Sequence, residues 1–110
     1  MNQVPSVDTT FRALGDPTRR RVIEHLRGGP ASMTELSRPF DITLPSLARH
    51  LGILERSGLV CSTKVGRVRT YRLVPDRLRS AEHWLSRQRT LWERRLDQLD
   101  AHLKTMEDDS

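Results

Sequence analysis

The 110-residue chain has a single cysteine, Cys61, so no internal disulfide framework and no metal cluster built from cysteines alone can form within it. No apolar run approaches the roughly 20 residues that cross a bilayer, and the amino terminus has neither a basic flank nor an apolar signal core. A cytoplasmic protein with no membrane partner is expected. No Ser, Thr or Cys stands in a recognisable nucleophile pattern, no Gly-rich phosphate loop occurs, and the four His residues are scattered. Neither an enzyme nor a bound cofactor is expected from that. Lysine is scarce as well: of 19 basic residues all but Lys64 and Lys104 are Arg, whose planar fork matches phosphate and guanine edges.

Hydrophobic residues make up only 35% of the chain and charged residues 30%. That suffices for one domain with a modest core, which a second chain would help to stabilise. The formal charge of +5 favours a polyanionic partner.

The most informative stretch runs from Thr43 to Leu59. Thr43 suits an N-cap and Pro45 the first helical turn, while Gly58 followed by Leu59 suits a left-handed helix end. At a hundred degrees per residue Leu47, Leu51 and Leu54 form one narrow stripe for a core. Pro45, Arg49, Gly52 and Arg56 lie opposite, with Ser46 and Ile53 beside them. The first two turns of that free side hold small, polar or cationic residues, as a helix must if its amino end is to enter a DNA major groove. Arg49 is the expected reader of a base or phosphate, and His50 on the flank the expected phosphate donor. The plainer alternative is an amphipathic helix with solvated arginines.

What precedes this helix favours the DNA reading. Met1 to Pro5 is expected to be a loose arm. Val7, Phe11 and Leu14 mark a short helix capped by Ser6 or Asp8 and ended by Gly15. Asp16-Pro17 opens a second helix that runs through Val22, Ile23 and Leu26 to the Gly28-Gly29-Pro30 break. Its Arg19, Arg20 and Arg21 form either a solvated face or contacts to a DNA backbone or to an acid such as Glu55. Ser32-Met33-Thr34-Glu35 is a capping box for a third helix over 33–37. With the turn from Arg38 to Ile42, this makes a helix-turn-helix.

After Leu59 the period changes to two. Val60–Val65 and Val68–Val74 flank Gly66-Arg67, a pair suited to a type II′ hairpin. Pairing Val65 with Val68 puts Val60, Ser62, Lys64, Arg69, Tyr71 and Leu73 on one face, apolar at its base and basic at its tip. Lys64, Arg67 and Arg69 are the expected phosphate contacts of a wing over about 60–74; charges that merely guard a solvated hairpin are the alternative.

From Asp76 to about Met106 the pattern is one long helix, with room for a break near Ser80 and a fraying acidic tail, Glu107-Asp108-Asp109. Leu78, Leu85, Trp92, Leu99 and Met106 recur every seven residues, Leu96 and Leu103 supply the alternate step, and Trp84 and Leu91 widen the apolar surface. Leu78, Trp84 and Leu85 are expected to pack on the domain and Trp92 to Met106 on a second copy. Phe11, Trp84, Leu85, Trp92, Leu96, Leu99 and Leu103 are the expected dimerisation residues, with pairing to the first helix as the intramolecular alternative.

Together, Phe11-Arg12-Ala13-Leu14-Gly15-Asp16-Pro17-Thr18-Arg19, Leu47-Ala48-Arg49-His50-Leu51 with Leu54, Gly58-Leu59-Val60, Gly66 and Tyr71-Arg72-Leu73 resemble the ArsR family of winged-helix repressors. The resemblance covers nearly the whole chain. It implies a mainly α fold with a β-hairpin wing and a long C-terminal dimerisation helix. As function it implies a homodimer that binds double-stranded operator DNA and occludes a promoter. Family members often carry Gln-Pro or Gln-Ser, then Ser, before the Arg-His pair, where this chain has Leu44-Pro45 and Ala48. Base readout then leans on Ser46 and Arg49, with Leu44 against a thymine methyl and Thr43 at the helix start.

Many members of the family sense metals through cysteines on the recognition helix or Asp, His and Glu pairs on the last helix. This recognition helix has no cysteine, and Asp100-Ala101-His102 is half a site whose His or Glu partner would lie beyond Ser110, so no metal is expected. Cys61, opposite Arg72 in the hairpin register, is either a half-buried filler or a redox switch. No small-molecule effector is identified. The alternatives kept open are an effector- or metal-responsive sensor of this type and a winged-helix protein-interaction module without DNA binding.

Overall fold

The computed structural model describes residues 6–108; the amino-terminal arm and Asp109 lie outside them. Helix α1 spans Val7–Leu14 and opens with a capping box, in which the Ser6 hydroxyl accepts the Thr9 N–H and the Thr9 hydroxyl accepts the Ser6 N–H. Its innermost residues are Thr10 and Ala13, both buried, while Val7, Phe11 and Leu14 are half-buried. Thr10 is tolerated in the interior because its hydroxyl donates to the Ser6 carbonyl at 3.1 Å. Helix α2 spans Pro17–Leu26; the Asp16 carboxylate caps it by accepting the Arg19 N–H at 3.1 Å.

A two-residue strand, β1 (Ala31–Ser32), follows and leads into α3 (Met33–Ser37), for which Ser32 and Glu35 form the anticipated capping box. After the turn, α4 spans Leu44–Arg56, with the Thr43 hydroxyl accepting the Ser46 N–H at 3.2 Å. Its end is a Schellman closure: Leu59 N–H donates to the Leu54 carbonyl, Gly58 N–H to that of Glu55, and Gly58 has φ 79°. Strands β2 (Val60–Val65) and β3 (Val68–Leu73) form the hairpin, with Val65 opposite Val68, Ser62 opposite Tyr71 and Cys61 opposite Arg72, as the alternation predicts. Of the turn pair only Gly66 has a positive φ, 61°, which fits type II′ rather than I′. The sheet has the order β1-β3-β2, with Ala31 opposite Tyr71. The strand at 31–32 was not foreseen; two residues carry no period, and only pairing with β3 defines them.

One core lies between α2, α3, α4 and the base of the hairpin. Leu47, Leu51 and Leu54 are fully buried there with Val22, Leu36 and Leu59, and Val60 and Tyr71 close it from the wing. Helix α5 spans Pro75–Asp108 without interruption. It starts one residue earlier than the sequence predicts, since proline is at home in a first turn. It does not break at Ser80, whose hydroxyl bonds back to the Asp76 carbonyl, and Glu107 and Asp108 are helical rather than frayed.

The first third of α5 packs on the domain: Ala81 is buried, Leu78 packs on the core, and Trp84 meets Phe11. Leu85, expected to pack on the domain, is 52% exposed: it shares a face of α5 with Leu78 but lies seven residues, about 10 Å, further along the helix. At 1.5 Å per residue a helix of this length is about 50 Å long. The chain accordingly measures 76 × 33 × 22 Å with a radius of gyration of 20.5 Å, against about 13 Å for a compact chain of this size. Exposed ion pairs such as Arg89–Glu93 and Asp100–Lys104, spaced i,i+4, dress its polar side.

Candidate nucleic-acid interface

The candidate surface is built from α4 and the wing. With its leucine stripe fixed in the core, α4 has one orientation, and Pro45, Arg49 and Arg56 are exposed on its outer side. Thr43 is spent on the cap, Ser46 is half-buried, and Leu44 stands 54% exposed at the first helical position, an apolar side chain held in water. Lys64, Arg67 and Arg69 are exposed on the wing, flanked at the tip by the exposed Val65 and Val68.

Two polar connections that sequence reasoning missed hold this surface together. At the carboxyl end of α4, the Ser62 hydroxyl donates to Glu55 Oε2 at 3.0 Å and accepts from Arg69 Nη1 at 2.8 Å. The basic wing side chain is thereby tied to the last turn of α4. The cross-strand pairing of Ser62 with Tyr71 was legible, but the reach of Glu55 across from the helix was not.

The second connection involves His50, which does not project freely from the flank. Its side chain is only 16% exposed; Nδ1 lies 3.3 Å from Arg19 Nη1 and 3.8 Å from Asp16 Oδ2. The shorter distance is a hydrogen bond and the longer one is not. Burial alone would raise the Asp16 pKa, but the Arg19 N–H and the neighbouring His50 and Arg19 side chains together hold it below the ordinary 3.8.

The three consecutive arginines all make contacts within the chain. Arg19 donates through Nε to the Ala13 carbonyl and through Nη2 to that of Arg12, and Arg20 donates to Leu14, so two side chains of α2 satisfy the last carbonyls of α1. Arg21 stacks over the Phe40 ring at 4.7 Å. None of these contacts is with Glu55, whose carboxylate takes the Ser62 proton instead.

Of the residues assigned to dimerisation, Phe11 and Trp84 meet each other, whereas Trp92, Leu96, Leu99 and Leu103 line α5 at 45–63% exposure among the described residues. Among the described residues no group of three or more His, Cys, Asp or Glu side chains is arranged to hold a metal. Asp100 pairs with Lys104 at 3.4 Å. Cys61 is half-buried on β2. No helix among the described residues is long and apolar enough to cross a membrane.

A capped helix held by its leucine stripe after a short helix and turn, with a hairpin beside it, defines a winged helix-turn-helix protein. Residues 14–62 match a helix-turn-helix domain family. The chain is 35% identical over 96 residues to the HTH-type transcriptional regulator Rv2034 of Mycobacterium tuberculosis, covering 87% of each. It is 29% identical over 79 residues to the transcriptional repressor SdpR of Bacillus subtilis, covering 72% of this chain and 88% of that one. Among solved structures, an ArsR family transcriptional regulator, RHA00566, superposes with a TM-score of 0.76 at 45% identity, over 84% of this chain and 97% of the other. An ArsR-like regulator from Rhodococcus sp. RHA1 gives 0.79 at 31% identity, over 94% and 92%. The chain belongs to the ArsR family of winged helix-turn-helix transcriptional regulators.

Proposed function

We propose that this regulator is a homodimeric, sequence-specific repressor that acts in the cytoplasm by occluding a promoter. The observation that carries the reading is the fastening of a basic wing to the helix that presents Arg49. The outer side of α4 presents Arg49, and Arg69 of the wing is fastened to the same helix through Ser62 and Glu55. In the major groove, Arg49 and Ser46 read base edges and Leu44 meets a thymine methyl, while Thr43 and Pro45 bring the helix start close to the backbone. His50, Lys64, Arg67 and Arg69 hold phosphates.

A second copy covers Trp92, Leu96, Leu99 and Leu103, which stand exposed among the described residues, with Phe11, Trp84 and Leu85 at the edge of the same interface. SdpR, a transcriptional repressor, is among the relatives, which favours occlusion over activation.

Fluorescence anisotropy on the protein's own upstream DNA and on a scrambled duplex tests the reading. A specificity ratio of about a thousand or more is expected. Arg49→Ala should cost about 1–3 kcal/mol on the specific duplex and little on the scrambled one. Equal losses on both would defeat base reading. Absence of salt-dependent affinity for any duplex would overturn the DNA function and favour a protein-interaction module.

A further inference from the structure

We propose that Arg19 is a positioning residue for the recognition helix: it fixes the His50 imidazole in the Nε2–H tautomer, making the ring a ready hydrogen-bond donor to a DNA phosphate. The donor role rests on the DNA-binding reading above; the tautomer does not.

A guanidinium has N–H donors, no acceptor, and keeps its proton in proteins. Its approach to Nδ1 at 3.3 Å therefore requires Nδ1 to carry a lone pair, and in a neutral ring the proton then sits on Nε2. The competing arrangement, Nδ1–H donating to Asp16, meets an oxygen 3.8 Å away, too far for a hydrogen bond.

Arg19 is itself immobilised. Nε is bound to the Ala13 carbonyl at 2.7 Å and Nη2 to that of Arg12 at 3.2 Å, which directs Nη1 at the ring. The Asp16 cap holds the Arg19 backbone N–H at 3.1 Å. The low exposure of the ring completes the restraint. A donor whose rotamer and tautomer are set before binding loses little freedom when a phosphate oxygen arrives.

Nitrogen-15 NMR of the imidazoles in the free protein at about pH 8, above the ordinary histidine range, tests the tautomer on the unaltered chain. His50 signals are assigned by their loss in His50→Gln. A protonated Nε2 with a lone-pair Nδ1 is expected, drifting toward a tautomer mixture in Arg19→Met. An Nδ1–H ring in the wild type, or an Arg19→Met spectrum unchanged from it, would overturn the positioning role.

For the donor, His50→Gln places an amide N–H near the Nε2 position and should keep DNA affinity within about threefold. His50→Leu should lose about tenfold on specific and random duplexes alike, as a charge-assisted bond to phosphate requires. His50→Leu binding as the wild type does would overturn the donor role. A wild-type protein without affinity for any duplex would overturn the donor role and the regulator reading together, with the tautomer still decided by the spectra.

Discussion

The rings of Phe11 and Trp84 meet edge-on, with centroids 5.5 Å apart and planes at 68°. This pair joins the first helix of the chain to its last, at the point where α5 leaves the domain. Edge-to-face pairs contribute about 0.5–1.5 kcal/mol beyond their buried area. Because the Trp84 ring is still 43% exposed, Trp84→Ala should cost about 1–3 kcal/mol rather than the full amount for a core aromatic. Urea unfolding followed by circular dichroism checks the value.

Leu99 lies at the middle of the bare stripe of α5, 53% exposed between Leu96 and Leu103. If a second copy covers it, a carboxylate there would be buried without a partner, which no dimer accommodates readily. Leu99→Glu should sediment as a monomer where the wild type sediments as a dimer, with lower helical content because the outer turns of α5 lose their support. A dimeric Leu99→Glu would mean that the copies meet elsewhere.

Asp16 provides a pH signature. Its carboxyl is held below 3.8 in the folded chain, so folding favours its ionised form. The resulting stabilisation is complete above the unfolded value and is lost as pH falls through the folded one. Asn at position 16 still accepts the cap hydrogen bond but cannot ionise. The stability gap between wild type and Asp16→Asn should therefore be largest above about pH 4 and shrink in stronger acid. Thermal melts across an acid series show which way it runs. Glu35, lowered by the Ser32 N–H and hydroxyl, titrates in the same sense.

Gly58 closes α4 at φ 79°, a conformation that a side chain disfavours by about 1–2 kcal/mol. Gly58→Ala should lower the unfolding free energy by that amount, read in urea unfolding as a lower midpoint at an unchanged slope.

Where local chemistry decides, the sequence was legible. Thr43, Pro45, Gly58 and Leu59 bound α4 to the residue. The leucine spacing gives its buried face, and the Val65–Val68 pairing gives the register of the whole wing. Where the outcome depends on how helices cross, it was not legible. Arg19 binds carbonyls six and seven residues back and a histidine 31 residues on, a set that no period encodes. Leu85 fits the heptad as well as Leu78 does, yet Leu78 packs on the core and Leu85, about 10 Å further along α5, is exposed, a difference set by how far the domain reaches along the helix.

The most direct test of a two-fold, base-reading dimer is selection of bound duplexes from a random DNA pool by the full chain, followed by sequencing. The expected result is an inverted repeat whose half-site centres lie about 10–10.5 base pairs apart or a multiple of that, placing two copies of α4 in major grooves on one side of the duplex. Enrichment of a single unrepeated half-site, or of no sequence at all, would contradict it.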